Sequence, residues 1–479
     1  MLSHARAADS CRTLLRIGVA DDAPYFVDEA GQPWTPIGQN DAITWPELAG
    51  LLSGHDLHTV ERHLGELRSS GVTVLRLMLE YCEDGCALLE NPAGSFNERV
   101  VAAFDELVAM CRRIGLRLLL TPFDTFFTWN NWDAHPYNRA NGGPCSSRTR
   151  LLTCEATRPF IKRRLEFGTR RWGSDGVVFA WDLWNEMHPV QGEDRPDCFE
   201  SFIGDVGPWL RALEREVHGR AHLQTASVFG PELVWKPWLN EPIFRHPALD
   251  FASSHFYEEG TIDFPADTVA AAVSTGRLVR EALAEITDGR PFFDSEHGPI
   301  HTFKDHDTTL PEAFDDEYFR HIQWAHLASG GAGGGMRWPN RDPHQLTAGM
   351  RRAQRALAEF LPQIDWTTFR RRPLHGAATV DLPTVHLFAC GDQSQAVLYL
   401  LRSDIVGPNG MLERESWPIS PTVTLPEMAP GSYQVVGWDT VAGRSCEHST
   451  LDHGGGPLVL RVGRLVADRA VAVRALGLG

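Results

Sequence analysis

At 479 residues, 43% hydrophobic and 22% charged, the chain is far from a disordered composition and longer than one ordinary core needs. A formal net charge of −17 argues against a nucleic-acid partner, whose phosphates require a basic face. Nine cysteines, odd in number, scattered and without a C-x-x-C pair, argue against a zinc ribbon or a disulfide framework. Cys82 with Cys86, or Cys145 with Cys154, are spaced to bridge within loops. No stretch is long enough to span a bilayer, and the first residues lack the apolar core of a secretory signal. A cytoplasmic protein with no membrane partner is the expectation.

In chain order, residues 1–20 read as a lead-in. Tyr25-Phe26-Val27 and Trp34-Thr35-Pro36-Ile37-Gly38 read as a hairpin around the turn Asp28-Glu29-Ala30-Gly31. Apolar runs then alternate with helix-patterned stretches. Ile37 to Gln39, Val72 to Leu79, Leu116 to Thr121 and Val177 to Leu183 are strand candidates. Leu223 to Val228, Phe251 to His255, Pro291 to Asp294 and Gly333 to Trp338 follow. Helical patterns over Asp56 to Ser69, Val100 to Ile114 (closed by Gly115) and Pro159 to Trp172 separate the early ones. Eight strands alternating with helices predict a parallel sheet closed into a (β/α)8 barrel over residues 21–368.

The alternation ends near Leu361-Pro362. Beyond it lie short β-rich runs, Thr384 to Ala389, Gln395 to Leu401, Thr422 to Leu425, Tyr433 to Val436 and Leu458 to Val462, with turn residues between them. They predict a small antiparallel β-sandwich over residues 369–479. Its polar residues sit singly at turns, which suits bracing of the barrel. Trp417 and Trp438 offer the competing role of sugar platforms.

Barrel enzymes carry their sites at the C-terminal ends of the strands. Past the fourth strand stands Trp184-Asn185-Glu186, and past the seventh Ser295-Glu296-His297-Gly298. Two carboxyls facing across one pocket are what glycoside hydrolysis with retention requires. One is kept protonated to serve the departing oxygen, and the other attacks the anomeric carbon. Asn185 suits a hydrogen bond to the sugar 2-hydroxyl. The loop after the third strand is long and aromatic, and its Trp129, Trp132 and His135 suit stacking and hydroxyl recognition. Asn40, after the first strand, is a weaker candidate sugar contact. The glycine run 330–335 lacks the Lys-Ser/Thr of a phosphate loop.

The segment from Phe179 to Glu186 resembles the acid/base signature of clan A glycoside hydrolases, especially the family 5 cellulase and mannanase type. Phe292 to Gly298 is similar to that clan's nucleophile strand, and the resemblance covers roughly residues 25 to 365. It implies a retaining β-glycosidase with Glu186 as general acid/base and Glu296 as nucleophile. It further implies Arg76 as the arginine that keeps the nucleophile ionised, and His255 and Tyr257 as a His-x-Tyr pair whose tyrosine orients it. Trp338 resembles the aromatic platform beneath the sugar. The chain departs from the pattern after the third strand, where Asp124 stands in place of a frequent histidine, and after Glu186, where Met187 replaces a frequent proline.

The expected substrate is an oligosaccharide or glycoside, with β-mannosides or β-glucosides favoured and no cofactor or metal. A transglycosylase with the same glutamates and a catalytically inactive carbohydrate-binding barrel are the alternatives. A metal-dependent hydrolase is disfavoured, since neither H-E-x-x-H nor a His-x-His at a first strand occurs.

Overall fold

The computed structural model describes residues 13–80, 88–300 and 309–477. The barrel strands are Gly38–Asp41, Val74–Met78, Arg117–Thr121, Val178–Asp182, Leu223–Thr225, His255–Phe256, Glu296–His297 and Met336–Arg337. All pair in parallel, in the order fifth-fourth-third-second-first-eighth-seventh-sixth. A parallel bridge between Phe229 and His255, with the His255 amide donating to the Val228 carbonyl at 2.9 Å, joins fifth to sixth and closes the ring. Cys82 and Cys86 lie outside the described residues, and Cys145 and Cys154 are both free thiols.

The sixth and seventh strands register further along the chain than their apolar runs suggest. Phe251 and Phe293 form the floor instead. Their rings stack 5.3 Å apart and surround Phe26 together with Phe179. Phe26 comes from the N-terminal hairpin, whose strands Phe26–Asp28 and Pro33–Trp34 gain a third, Ile17–Val19, from the stretch read as a lead-in. Burying these rings removes apolar surface from water and plugs the end opposite the site.

The helices follow from their sequence pattern. Glu98–Ile114 is capped by Asn97, which accepts from the Arg99 amide, and stops at Gly115, whose φ of 87° a side chain rarely adopts. Its apolar face, with Val100, Phe104, Leu107 and Cys111, lies on the barrel. The connection after the fifth strand is the exception. It holds the short Gly230–Trp235 helix, a 3-10 turn, Pro237–Leu239, and a π-helical turn, Glu241–Arg245, where the sixth strand is followed by the 18-residue helix Thr268–Glu285.

Beyond the last barrel helix, Ala348–Phe360, a six-stranded antiparallel sheet packs on a three-stranded one. Two of its long strands, besides the two-residue Arg372–Pro373, are absent from the sequence reading. Arg444–His453 is largely exposed and has no apolar run, so nothing in its pattern marks it, and Asp468–Leu476 follows a turn with little glycine. Trp438, a candidate sugar platform by sequence, is buried instead, with its indole N–H on the Ala356 carbonyl at 3.2 Å. Trp417 is 90% exposed.

Candidate active site

The fourth strand ends at Asp182, and the chain then turns so that Glu186 takes a left-handed φ of 48°, costly for a residue with a Cβ. The turn is held by the Ser227 hydroxyl, which accepts from the Glu186 amide at 3.2 Å and donates to Asp182 at 2.8 Å. Glu296 opens the seventh strand. One oxygen of each glutamate and a ring nitrogen of His255 all lie within 4.8 Å of one another.

Glu296 is gripped from two sides. Arg76 Nη1 donates to Oε2 at 2.9 Å, and the Tyr257 hydroxyl donates to Oε1 at 2.7 Å. Arg76 is itself fixed by Asp182 at 2.8 Å, by Asn40 Oδ1 at 2.8 Å and by Asn185 Oδ1. Glu186 has a different partner: His255 Nδ1 lies 2.7 Å from its Oε1, while Nε2 meets the Ser295 hydroxyl at 3.1 Å.

The two environments separate the carboxyls electrically. Burial raises Glu296 to about 7, restrained by the charge of Arg76 and the hydrogen bond from Tyr257. Glu186 is pushed well above the ordinary range, by burial first and then by the charges of Glu296 and Asp124. Burial and the charge of Arg76 drive His255 well below its usual value, so its imidazole is neutral and offers Glu186 no cation. With a guanidinium on it, Glu296 is the carboxyl suited to ionise, and Glu186, without a cation, is the one suited to keep its proton.

The structure brings Arg76, His255 and Tyr257 onto the two glutamates, and Asn185 onto Arg76 and Asp124 beside them. Trp338 ends the eighth strand beside them, keeps 8% of its surface and meets Trp45 edge-on at 5.0 Å. Asn40 is buried with its amide fully engaged, accepting from Arg76 and donating to the Ser295 carbonyl at 3.0 Å and the Arg337 carbonyl at 3.4 Å. It supports Arg76 and has no face left for a sugar. Asp124 is also buried. It accepts from Asn185 Nδ2 at 2.5 Å and caps the helix Thr125–Asn130 through the Phe127 amide at 2.7 Å. Burial raises it to about 6.

Of the aromatic loop, Trp129 sits 4.8 Å from the ring of His188, two residues beyond Glu186. Trp132 is partly exposed and stacks on His135 at 5.7 Å. His135 itself is buried with Nε2 3.2 Å from Glu80, inside a charge network with Arg164 and Glu90. Both ring nitrogens of His135 are thus engaged inside the fold, the other accepting from the Tyr137 amide at 3.1 Å. Sequence reasoning missed Asp182, Ser227 and Ser295. A charged residue inside the apolar fourth-strand run was the available signal for Asp182; the serines gave none.

Two groups among the described residues have metal-ligand spacing, Glu186-His255-Glu296 and Asp41-Glu47-His63. Each already holds a guanidinium, Arg76 on Glu296 at 2.9 Å and Arg351 on Glu47 at 2.9 Å, which opposes a cation there.

No family model matches the chain. In sequence it is similar to mannan endo-1,4-beta-mannosidase 2 of Arabidopsis thaliana, 24% identical over 300 residues that cover 55% of this chain and 65% of that one. The match thus spans less than two thirds of that relative's length. A family 5 glycoside hydrolase from Bacteroides vulgatus shares the fold at a TM-score of 0.60, with 11% identity, over 97% of this chain and 95% of that one. A family 5 mannosidase from Rhizomucor miehei does so at 0.54, with 15% identity, over 72% and 98%. A (β/α)8 barrel carrying two unlike carboxyls, with these similarities in sequence and fold, places the chain's resemblance with the family 5 type of clan A glycoside hydrolases.

Proposed function

We propose that the chain is a retaining glycoside hydrolase that cleaves β-linked glycosides or oligosaccharides, with β-mannosides favoured over β-glucosides. The observation that carries this is the pair of carboxyls within 4.8 Å, one held by Arg76 and Tyr257 and the other on a neutral imidazole. Retention needs the closer spacing, about 5–5.5 Å, whereas inversion leaves room for a water at roughly 6.5–9.5 Å. The mannoside preference rests on the relatives, which are named as mannanases and mannosidases.

Glu296 attacks the anomeric carbon and forms a glycosyl ester as the glycosidic C–O bond breaks. Glu186 gives its proton to the departing oxygen. A water then takes the leaving group's place, returns a proton to Glu186 and adds its oxygen to the anomeric carbon, which frees Glu296. Asn185, held by Asp124 and Arg76, retains one amide hydrogen for the sugar 2-hydroxyl. Trp338 offers an apolar ring to the sugar face.

The test is Glu296→Gly with aryl β-mannosides and β-glucosides. Turnover is expected to vanish and to return with azide, giving the glycosyl azide of inverted configuration. Activity like that of the wild type in this variant would remove the assignment. Added sugar acceptors separate hydrolysis from transglycosylation by the products formed.

A further inference from the structure

We propose that the groove between residues 229–240 and the Thr268–Glu285 helix is a saccharide subsite for the leaving-group end of the substrate, with Trp235 as its stacking platform. This rests on the glycosidase reading and adds to it where the substrate chain runs.

The groove exists because the fifth connection is short. The Gly230–Trp235 helix and the turn Glu241–Arg245 do not cover the flank of the sixth-strand helix, and a cavity of about 500 Å³ opens between them. That volume lies within the range of small-molecule sites, about 300–1,000 Å³. Phe229, Trp235, Glu258 and Leu278 line it, together with His255 and Tyr257. The last two are the partners of Glu186 and Glu296, so the groove shares a wall with the reacting centre. The Phe229 ring lies 5.4 Å from that of Tyr257 and carries the wall outward.

The direction of the substrate follows from the order of the strands. Trp338 ends the eighth strand, on one flank of Glu296, and the groove lies beyond the sixth strand, on the other. A sugar attacked by Glu296 while resting on Trp338 sends its departing oxygen toward the opposite flank. Glu186 stands there to protonate it, and its loop is tied to the groove's own segment. The Met187 amide donates to the Ser227 carbonyl at 2.9 Å, and His188 meets Glu232 of the short helix at 3.0 Å.

The lining suits a neutral sugar. Trp235 is 67% exposed and the neighbouring Val234 73%, so the indole has no packing duty that would explain a large apolar ring in water. Sugar rings present apolar faces to such indoles, while hydroxyls at their rim donate to carboxylates. Glu258 is fixed for that role by Arg277 and by the Thr261 hydroxyl at 2.8 Å.

The test compares wild type, Trp235→Ala and Trp235→Phe on an aryl β-mannoside and on manno-oligosaccharides from di- to hexasaccharide, with the gluco series beside them. In the wild type, kcat/KM should rise with the length of the leaving portion. Trp235→Ala should lower the ratio of kcat/KM on the tetrasaccharide to that on the aryl glycoside about tenfold, and Trp235→Phe should restore most of it. An unchanged ratio in an active, folded Trp235→Ala protein overturns the subsite and leaves the glycosidase reading standing. A wild type that turns over none of these glycosides removes the glycosidase reading, and the subsite with it. Loss of self-association in Trp235→Ala with no change in the ratio assigns the exposed indole to a protein contact instead.

Discussion

Arg76 is the residue on which the site converges. Its guanidinium bonds Glu296, Asp182, Asn40 and Asn185 at once, so one side chain fixes both the proposed nucleophile and the amide proposed to face the sugar 2-hydroxyl. Asp182→Asn removes the carboxylate that orients it. The expected result is a fall in kcat of about a hundredfold, the scale of an ångström-sized misplacement, with the fold retained by circular dichroism. The pH profile follows from the same contacts. Glu296 must be ionised, so kcat/KM should fall as the pH drops through its value near 7. Glu186 must be protonated, so activity should fall again as the pH rises through its own raised value. Glu186→Gln should abolish the alkaline limb on substrates with good leaving groups and keep the acid limb. An alkaline limb that persists in this variant would assign it to another group.

At the scale of elements, the loop after the third strand is anchored by a charge network. Arg164, buried on the helix Arg158–Trp172, meets Glu80 and, at 2.5 Å, Glu90; Glu80 also accepts from the Asp124 amide at 3.0 Å. Burial alone would raise the Glu80 carboxyl, but Arg164 and His135 bring it down to about 2. Arg164→Met leaves two buried carboxylates without their cation. A loss of about 3–5 kcal/mol in urea unfolding is expected. The loss should begin to shrink already above the ordinary carboxylate range as the pH falls, because burial holds the Glu80 carboxyl up once its cation is gone and it then takes up a proton. A variant as stable as wild type at neutral pH would mean that the network contributes nothing.

For the whole molecule, the C-terminal sandwich is expected to brace the barrel. A Cβ at Gly276, on a barrel helix, would come within 2.5 Å of Phe388, and Leu412 donates its amide to Glu317 at 2.7 Å. Trp438→Ala should cost about 3–5 kcal/mol, as for large core aromatics. Truncation near residue 368 should lower the melting temperature and solubility, with activity per folded molecule kept. A truncated barrel that is fully stable but weaker only on long oligosaccharides would return the sandwich to a binding role, with the exposed Trp417 as its platform.

The sequence by itself determined the barrel, because strand and helix periodicities repeat along the chain, and it determined the two glutamates, because strand ends are where barrel chemistry sits. Arg76, His255 and Tyr257 were legible only through the resemblance to clan A glycoside hydrolases. Only the tertiary structure decided what each polar residue touches. Asn40 and His135 read as sugar contacts, yet partners 36 and 55 residues away in the chain claim their polar atoms. Asp182 and Ser227 read as nothing in particular, yet they set the turn that carries Glu186. Periodicity records which face of a strand is buried, and burial is a property of each residue with its neighbours in the chain. Hydrogen-bond partners lie on other strands, and no local pattern encodes which of them closure of the barrel will bring together.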